Sequence, residues 1–290
     1  MDSESIVAYA TLITALVAVI GVIITVWKQL AQQETDKRRQ LDERFTSIIT
    51  SLGSNSQAIQ AGAAVSIITF LKPEYKIFHD QVFMVLLANL KLKNDIILNR
   101  LLVTGFQKAI RIKNDLEKDK SNSDDFDLSY CNLYRIDLSG MNLSNADIGF
   151  AKLQGANLTN TNLRRIQGWE SNLERARLSN ADMEEARLRK AHLKGVLFHN
   201  ARLVSADLRE TDLTKARFYQ AKLQSAHFDK ANLDSTKFEQ ADINDAYFYG
   251  VHNLNESTLK SIYNSYNWQK AHFDDNVRIE LEKIAETNSK

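Results

Sequence analysis

The 290-residue chain carries 37 Lys and Arg against 36 Asp and Glu, so a formal net charge of +1 advertises neither a polyanionic nor a polycationic partner. One cysteine excludes an internal disulfide framework and suits a reducing compartment, and one proline with ten glycines leaves little material for long flexible linkers. This length allows about two domains.

The first element is the run "IVAYATLITALVAVIGVIITVW", residues 6–27, without a single charge. About 20 apolar residues suffice to span a bilayer as a helix, which predicts a single transmembrane helix; the alternative is a buried helix of a soluble core. Asp2 and Glu4 precede it where a cleaved leader would be basic. Lys28, Lys37, Arg38, Arg39 and Arg44 follow, which by the positive-inside rule puts the C-terminal side in the cytoplasm and the chain in the plasma (bacterial inner) membrane. Ala10, Thr14, Ala18, Gly21 and Thr25 fall on one stripe of that helix, and such small residues let membrane helices approach and self-associate.

The neck "KQLAQQETDKRRQ" is polar on all sides, and Leu41, Phe45, Ile48, Ile49 and Leu52 then form an apolar helical stripe. After a break at 53–56, helices are predicted over 57–71, 74–92 and 94–118, with Pro73 opening the second of these. The segment 28–118 thus reads as a juxtamembrane neck and small helical domain, and "KDKSNSDD" brings a linker at 119–125.

From residue 126 to residue 250 a five-residue pattern runs without a slip through 25 repeats. Its first position is Ala in 15 of them, and its third is Leu, Ile, Met or Phe in all but one, Gly168. On an α-helix five residues turn through about 500°, which would smear the apolar pairs around the surface. On a strand, successive pairs would land on opposite faces. The chain must instead turn a corner after each pair, so that four corners close a square coil of 20 residues with first and third positions inside. "ANLTN", "ADLRE", "AKLQS" and "ANLDS" resemble the A-(D/N)-L-x-x repeat of the pentapeptide-repeat family, and "ERFTSIITSLGS" with "AGAAVSIITFL" resembles the helical segment that links anchor to repeats in its membrane-anchored bacterial type. That resemblance implies a right-handed quadrilateral β-helix. Such a solenoid needs capped ends. Phe126, Cys131, Ile136 and Met141 make a bulky first coil, and helices expected near 256–266 and 275–287 would cover the last, with 251–290 as a C-terminal helical cap. The fold class expected is therefore α+β: transmembrane anchor (1–27), helical domain, β-helix and helical cap.

No nucleophile–base pair, phosphate loop or converging set of metal ligands is legible, which points away from an enzyme and implies no cofactor and no metal. His227 lies one coil beyond Asp207, close enough to pair. Cys131 takes an inward, small-residue position. The repeats hold 17 basic and 16 acidic residues, with bases concentrated in the middle coils; Arg164, Arg165, Arg187, Arg189 and Lys190, with Trp169, form a candidate interaction surface. The plain alternative is a solvated, salt-bridged surface. In "IQGWE" Gly168 stands where Leu belongs, and Trp169 either folds over that gap or stands outward as a contact point.

These features favour a membrane-anchored, non-enzymatic scaffold for an unidentified cytoplasmic protein, with nucleic acid disfavoured and a homo-oligomer open. One alternative is a membrane-perturbing effector of a stress or antiphage system whose anchor self-associates. A second, implied by the best-known branch of the family, is a DNA-mimicking gyrase binder; those relatives are acidic, whereas this rod is neutral.

Overall fold

The computed structural model describes the backbone over residues 3–116 and 126–288, and side chains over 19–115 and 126–288. The expected linker at 119–125 lies outside the described residues, as do the side chains of Ala10, Thr14 and Ala18. The chain forms two compact units, Met1–Ala63 and Ala64–Lys290.

The first unit is built on one helix, α1 (Ser3–Leu52), and the start of α2 (Gln57–Ile67). The single transmembrane helix of the expected fold class is corrected here. No helix among the described residues is long and apolar enough to cross a membrane. The described side chains of the apolar run, residues 19–27, are all exposed along α1. Gly21 and Thr25 lie on this stretch, where the Thr25 hydroxyl donates back to the Gly21 carbonyl at 2.8 Å. Farther along, Phe45, Ile48 and Leu52 are buried, as their helical spacing requires, while Ile49 is exposed.

In the second unit α2 ends earlier than its apolar pattern suggests. Residues Ile68–Leu71 and Pro73–Phe78 are 3-10 turns, kinked at Tyr75, because Pro73 lacks the N–H that a continuing helix needs. Helices α3 (His79–Leu90) and α4 (Ile96–Leu116) then pair. Asp95 caps α4 by accepting from the Ile97 and Leu98 N–H groups at 2.8 and 3.0 Å.

The rod begins at residue 126 and keeps the expected phase to residue 250: all its first and third positions are buried, Gly168 among them. Second positions bridge in parallel to second positions 20 residues on, from Asp127↔Asp147 to Asn232↔His252. Each coil therefore has four sides of five residues; sides one to four start at 126, 131, 136 and 141. Three hydrogen bonds per repeat join successive coils. In one repeat Leu133 N–H donates to Lys152 O (2.8 Å), Arg135 N–H to Gln154 O (3.0 Å), and Lys152 N–H back to Cys131 O (2.9 Å). Ile136 N–H closes the corner on Leu133 O at 3.1 Å.

That scheme leaves the fourth-position N–H unused, which explains the preference for Asp or Asn two residues earlier. Asp137 accepts from Ser139 N–H at 3.0 Å and Asp212 from Thr214 N–H at 3.0 Å, the local turn these side chains favour. Every fifth position has positive φ, mostly in non-glycine residues such as Arg165 (57°) and Lys190 (62°). Each such corner is strained, and interchain-like stacking of coils holds it in place.

Inside, the N-terminal coils are filled by leucines and the C-terminal coils by two columns of stacked rings. Phe198, Phe218 and Phe238 stack at 4.6 and 5.2 Å, and Phe228, Phe248 and Phe273 at 4.7 and 4.9 Å. Inward hydroxyls find carbonyls, as Thr236 does on Leu213 O at 2.9 Å. Cys131 is buried, and burial pushes its thiol up to about 12.

Both ends of the rod are closed. At the start, edge groups of the first coil are met by α3 and α4: Asn132 N–H donates to Leu90 O (2.9 Å), and Asn114 donates to Asn142 O (2.8 Å) while accepting from its N–H (3.4 Å). Arg111 donates to Asp137 O at 3.1 Å and pairs with its carboxylate at 3.2 Å. At the far end the chain makes one enlarged coil, into which α5 (Glu256–Tyr263) is inserted. Strand β1 (Tyr247–Phe248) pairs in parallel with β2 (His272–Phe273), and Asp242 bridges to Tyr266. Ser261 accepts from Phe238 N–H, and α6 (Asp275–Asn288) follows with Val277 and Leu281 buried. The two expected cap helices are thus present, the first shorter than expected.

Candidate interaction surface

Of the six residues singled out in the sequence, Arg164 and Arg165 end the fourth side, and Trp169, Arg187, Arg189 and Lys190 lie along the first. Four of the five cations engage neighbouring coils. Arg165 donates to Glu185 at 2.8 Å, and Arg189 donates to Glu210 at 3.0 Å. Those bonds, with charge attraction adding to them, hold both carboxyls below their ordinary range against the burial that raises them. Arg164 pairs with Glu184, which also binds Arg202 at 2.8 Å, and Arg164 reaches Asp182 at 3.4 Å. Arg187 donates to the Gln167 amide oxygen at 3.5 Å.

Lys190 differs. Among the described residues it has no carboxylate partner, and its ammonium sits 5.8 Å from the centre of the Trp169 ring, a cation–π placement. Trp169 is 46% exposed and meets Phe150 edge-on at 5.0 Å, while Phe150 stacks on Tyr130 at 4.9 Å. These rings, with Arg187 and Arg189, line an open groove of about 440 Å³.

The gap at Gly168 is not filled by Trp169. A Cβ built on Gly168 would lie 2.6 Å from Leu188 Cδ2 and 3.2 Å from Ile148 Cγ1, so side chains of the coils above and below already occupy the space. Trp169 is therefore free to face outward. Tyr130 and Phe150 went unrecognised in the sequence; their fifth-position spacing of 20 residues was the available signal.

At the other end of the same side, His227 lies 3.5 Å from Asp229 rather than pairing with Asp207, which Arg209 holds at 2.7 Å. Burial raises the Asp207 carboxyl, but the Arg209 hydrogen bonds outweigh it and the net shift is downward. The His227, Tyr247 and His272 rings stack at 4.6 Å steps. No cluster of His, Cys, Asp or Glu suited to a metal ion occurs among the described residues.

Comparison with known proteins places the repeats. The model of the pentapeptide repeat region matches residues 171–248, and that of pentapeptide repeats in eight copies matches residues 127–160. No curated protein matches the chain. Similar solved structures include a pentapeptide repeat protein of the Arabidopsis thaliana thylakoid lumen, at 22% identity and TM-score 0.31 over 40% of this chain and 74% of that one. HetL of the cyanobacterium Nostoc, described as involved in heterocyst differentiation regulation, shows 24% identity and TM-score 0.26 over 48% and 68%. QnrB1, a plasmid-mediated fluoroquinolone resistance protein, shows 13% identity and TM-score 0.26 over 52% and 85%. On the matched repeats and the 20-residue coils they build, the chain belongs to the pentapeptide-repeat family.

Proposed function

We propose that the protein is a non-enzymatic scaffold that binds a protein partner through the first side of its rod, with Trp169 as anchor. The observation that carries this reading is the outward Trp169: its neighbours Ile148 and Leu188 have taken over the interior space, so the ring has no filling role. A half-exposed Trp bordered by Phe150, Arg187 and Lys190 has the composition of an interface hot spot, in which aromatic and Arg side chains dominate binding. The stiff coils and closed ends hold that groove in one shape, which lowers the entropy cost of binding.

Affinity capture of the intact protein, compared with Trp169→Ala and Lys190→Glu, tests the reading. Proteins captured by the native chain should be lost with both variants while the melting temperature stays unchanged. Equal capture by all three would remove the first side from the interaction.

A further inference from the structure

The third side, starting at residues 136, 156, 176, 196 and 216, has a charge pattern unlike the rest. Second positions stack as Asn157, Arg177, Leu197 and Arg217. The corner leading into this side carries Arg175, Gly195 and Lys215 at the matching heights. Over 155–160, 175–180, 195–200 and 215–220 there are four cations and no carboxylate. Arg175, Arg177, Lys215 and Arg217 are exposed, and among the described residues none has a carboxylate partner. On the first and fourth sides, by contrast, Arg164, Arg165 and Arg189 pair with carboxylates. Carboxylates return only at the ends of the side, where Asp137 is held by Arg111 and Glu239 by Lys237 at 3.7 Å.

The four cations form two pairs, two coils apart. At about 4.8 Å per coil the pairs stand about 10 Å apart along the rod. Between them the coil at 195–200 carries no charged side chain. Gly195 has no side chain, and the Arg175 stem passes over it, its Cγ 3.6 Å from where a Cβ would stand. Half-buried Leu197 lies on this coil, and His199 and the 40% exposed Tyr219 continue the strip, their rings 6.2 Å apart. The strip is thus apolar at its centre and positive on both banks.

We propose that this strip binds an acidic amphipathic helix of a protein partner, laid across the third side. A helix is about 10–12 Å wide with its side chains, which matches the distance between the banks. Its central apolar residue would cover Leu197 and Tyr219, while carboxylates on its two flanks would meet Arg175 and Arg177 on one bank and Lys215 and Arg217 on the other. Four cations on a flat side are few for a nucleic acid, where binding commonly neutralises about 6–10 phosphates. The site is separate from the Trp169 groove and does not depend on it.

The test uses the full chain and fluorescence anisotropy with a labelled helical peptide bearing Leu on one stripe and Glu on both flanks, alongside its Gln-for-Glu counterpart and a labelled DNA duplex. The Glu peptide should bind, the Gln peptide and the duplex should bind at least about tenfold more weakly, and added salt should weaken the complex. Arg177→Glu with Arg217→Glu should reduce affinity about tenfold or more, whereas Lys222→Glu on the fourth side should leave it unchanged. Arg177→Gln with Arg217→Gln removes the charge without repulsion and gives the same ranking should the reversal lower the melting temperature. Equal binding of the Glu and Gln peptides, equal loss with Lys222→Glu, or preference for the duplex would overturn the proposal.

Discussion

Replacing Gly168 by Ala adds one methyl group at the only third position without a side chain. The new Cβ would stand 2.6 Å from Leu188 Cδ2 and 3.2–3.3 Å from two Ile148 carbons. Carbon pairs settle at about 3.5–4.0 Å, so the Leu188 contact is about 1 Å too short. Leu188 is fully buried and Ile148 nearly so, which leaves Leu188 little room to retreat. Overpacking of this kind costs about 1–3 kcal/mol. Taking about 2 kcal/mol, and about 2–4 °C per kcal/mol for a unit of this size, the melting temperature should fall by roughly 4–8 °C. Leu188→Ala alone should cost about 2–5 kcal/mol by leaving a cavity. In the double variant the new methyl enters space that Leu188 has vacated, so the combined cost should undercut the sum by about 1 kcal/mol or more. Urea and thermal unfolding of the four proteins measure this cycle. Additive costs, or a neutral Gly168→Ala beside a destabilising Trp169→Ala, would refute the packing described here, since the second result would mean that the Trp ring fills the gap.

Asn114→Leu should destabilise the rod by about 1–3 kcal/mol in urea unfolding, because both edge groups of Asn142 lose their partner. Cys131, buried with its thiol pushed up to about 12, should resist maleimide at neutral pH in the folded protein and react fully in denaturant. Asp127 is held below the ordinary 3.8 chiefly by its hydrogen bond from Lys91. Asp137 is lowered too, since the Ser139 bonds and the Arg111 charge outweigh the burial that raises it. A lowered native value means stability that is present above pH 3.8 and lost as pH falls through the native value. Melting temperature should therefore drop below about pH 4, and Lys91→Met with Arg111→Met should make that drop smaller.

The phase of the rod was legible in the sequence because an apolar pair every five residues fits no helix or strand, and 25 repeats left no room for a slip. The closing of its first coil was less legible. Asn99 and Asn114 are buried polar residues on the apolar stripe of α4, a combination that signals a specific partner, yet only the folded chain shows that partner to be the coil edge. The candidate cations could be placed outward from the pattern, but their neutralisation depends on residues 20 or 21 positions away, as with Arg165 and Glu185 or Arg189 and Glu210. Bases cluster along the chain on the first and fourth sides, whereas the third carries four cations without carboxylate partners and no carboxylate at their heights. The apolar run at 6–27 suggested a membrane span from hydropathy alone, which the described helices do not supply.

Residue-resolved amide exchange of the intact protein tests the 20-residue coil most directly. Third- and fifth-position amides such as those of Leu153, Gly155, Leu193 and Gly195 donate to the next coil at 2.7–2.9 Å and should be strongly protected. Fourth-position amides with no Asp or Asn two residues before them, including Gln154, Lys194 and Val204, have no acceptor in this scheme and should exchange fastest. Ser139 and Thr214, whose amides are bound by Asp137 and Asp212 at 3.0 Å, should fall between. Protection that repeats every five residues with this minimum at the fourth position is the expected result. Protection that alternates every two residues, or a minimum shifted to the third position, would contradict the coil and the assignment of faces built on it.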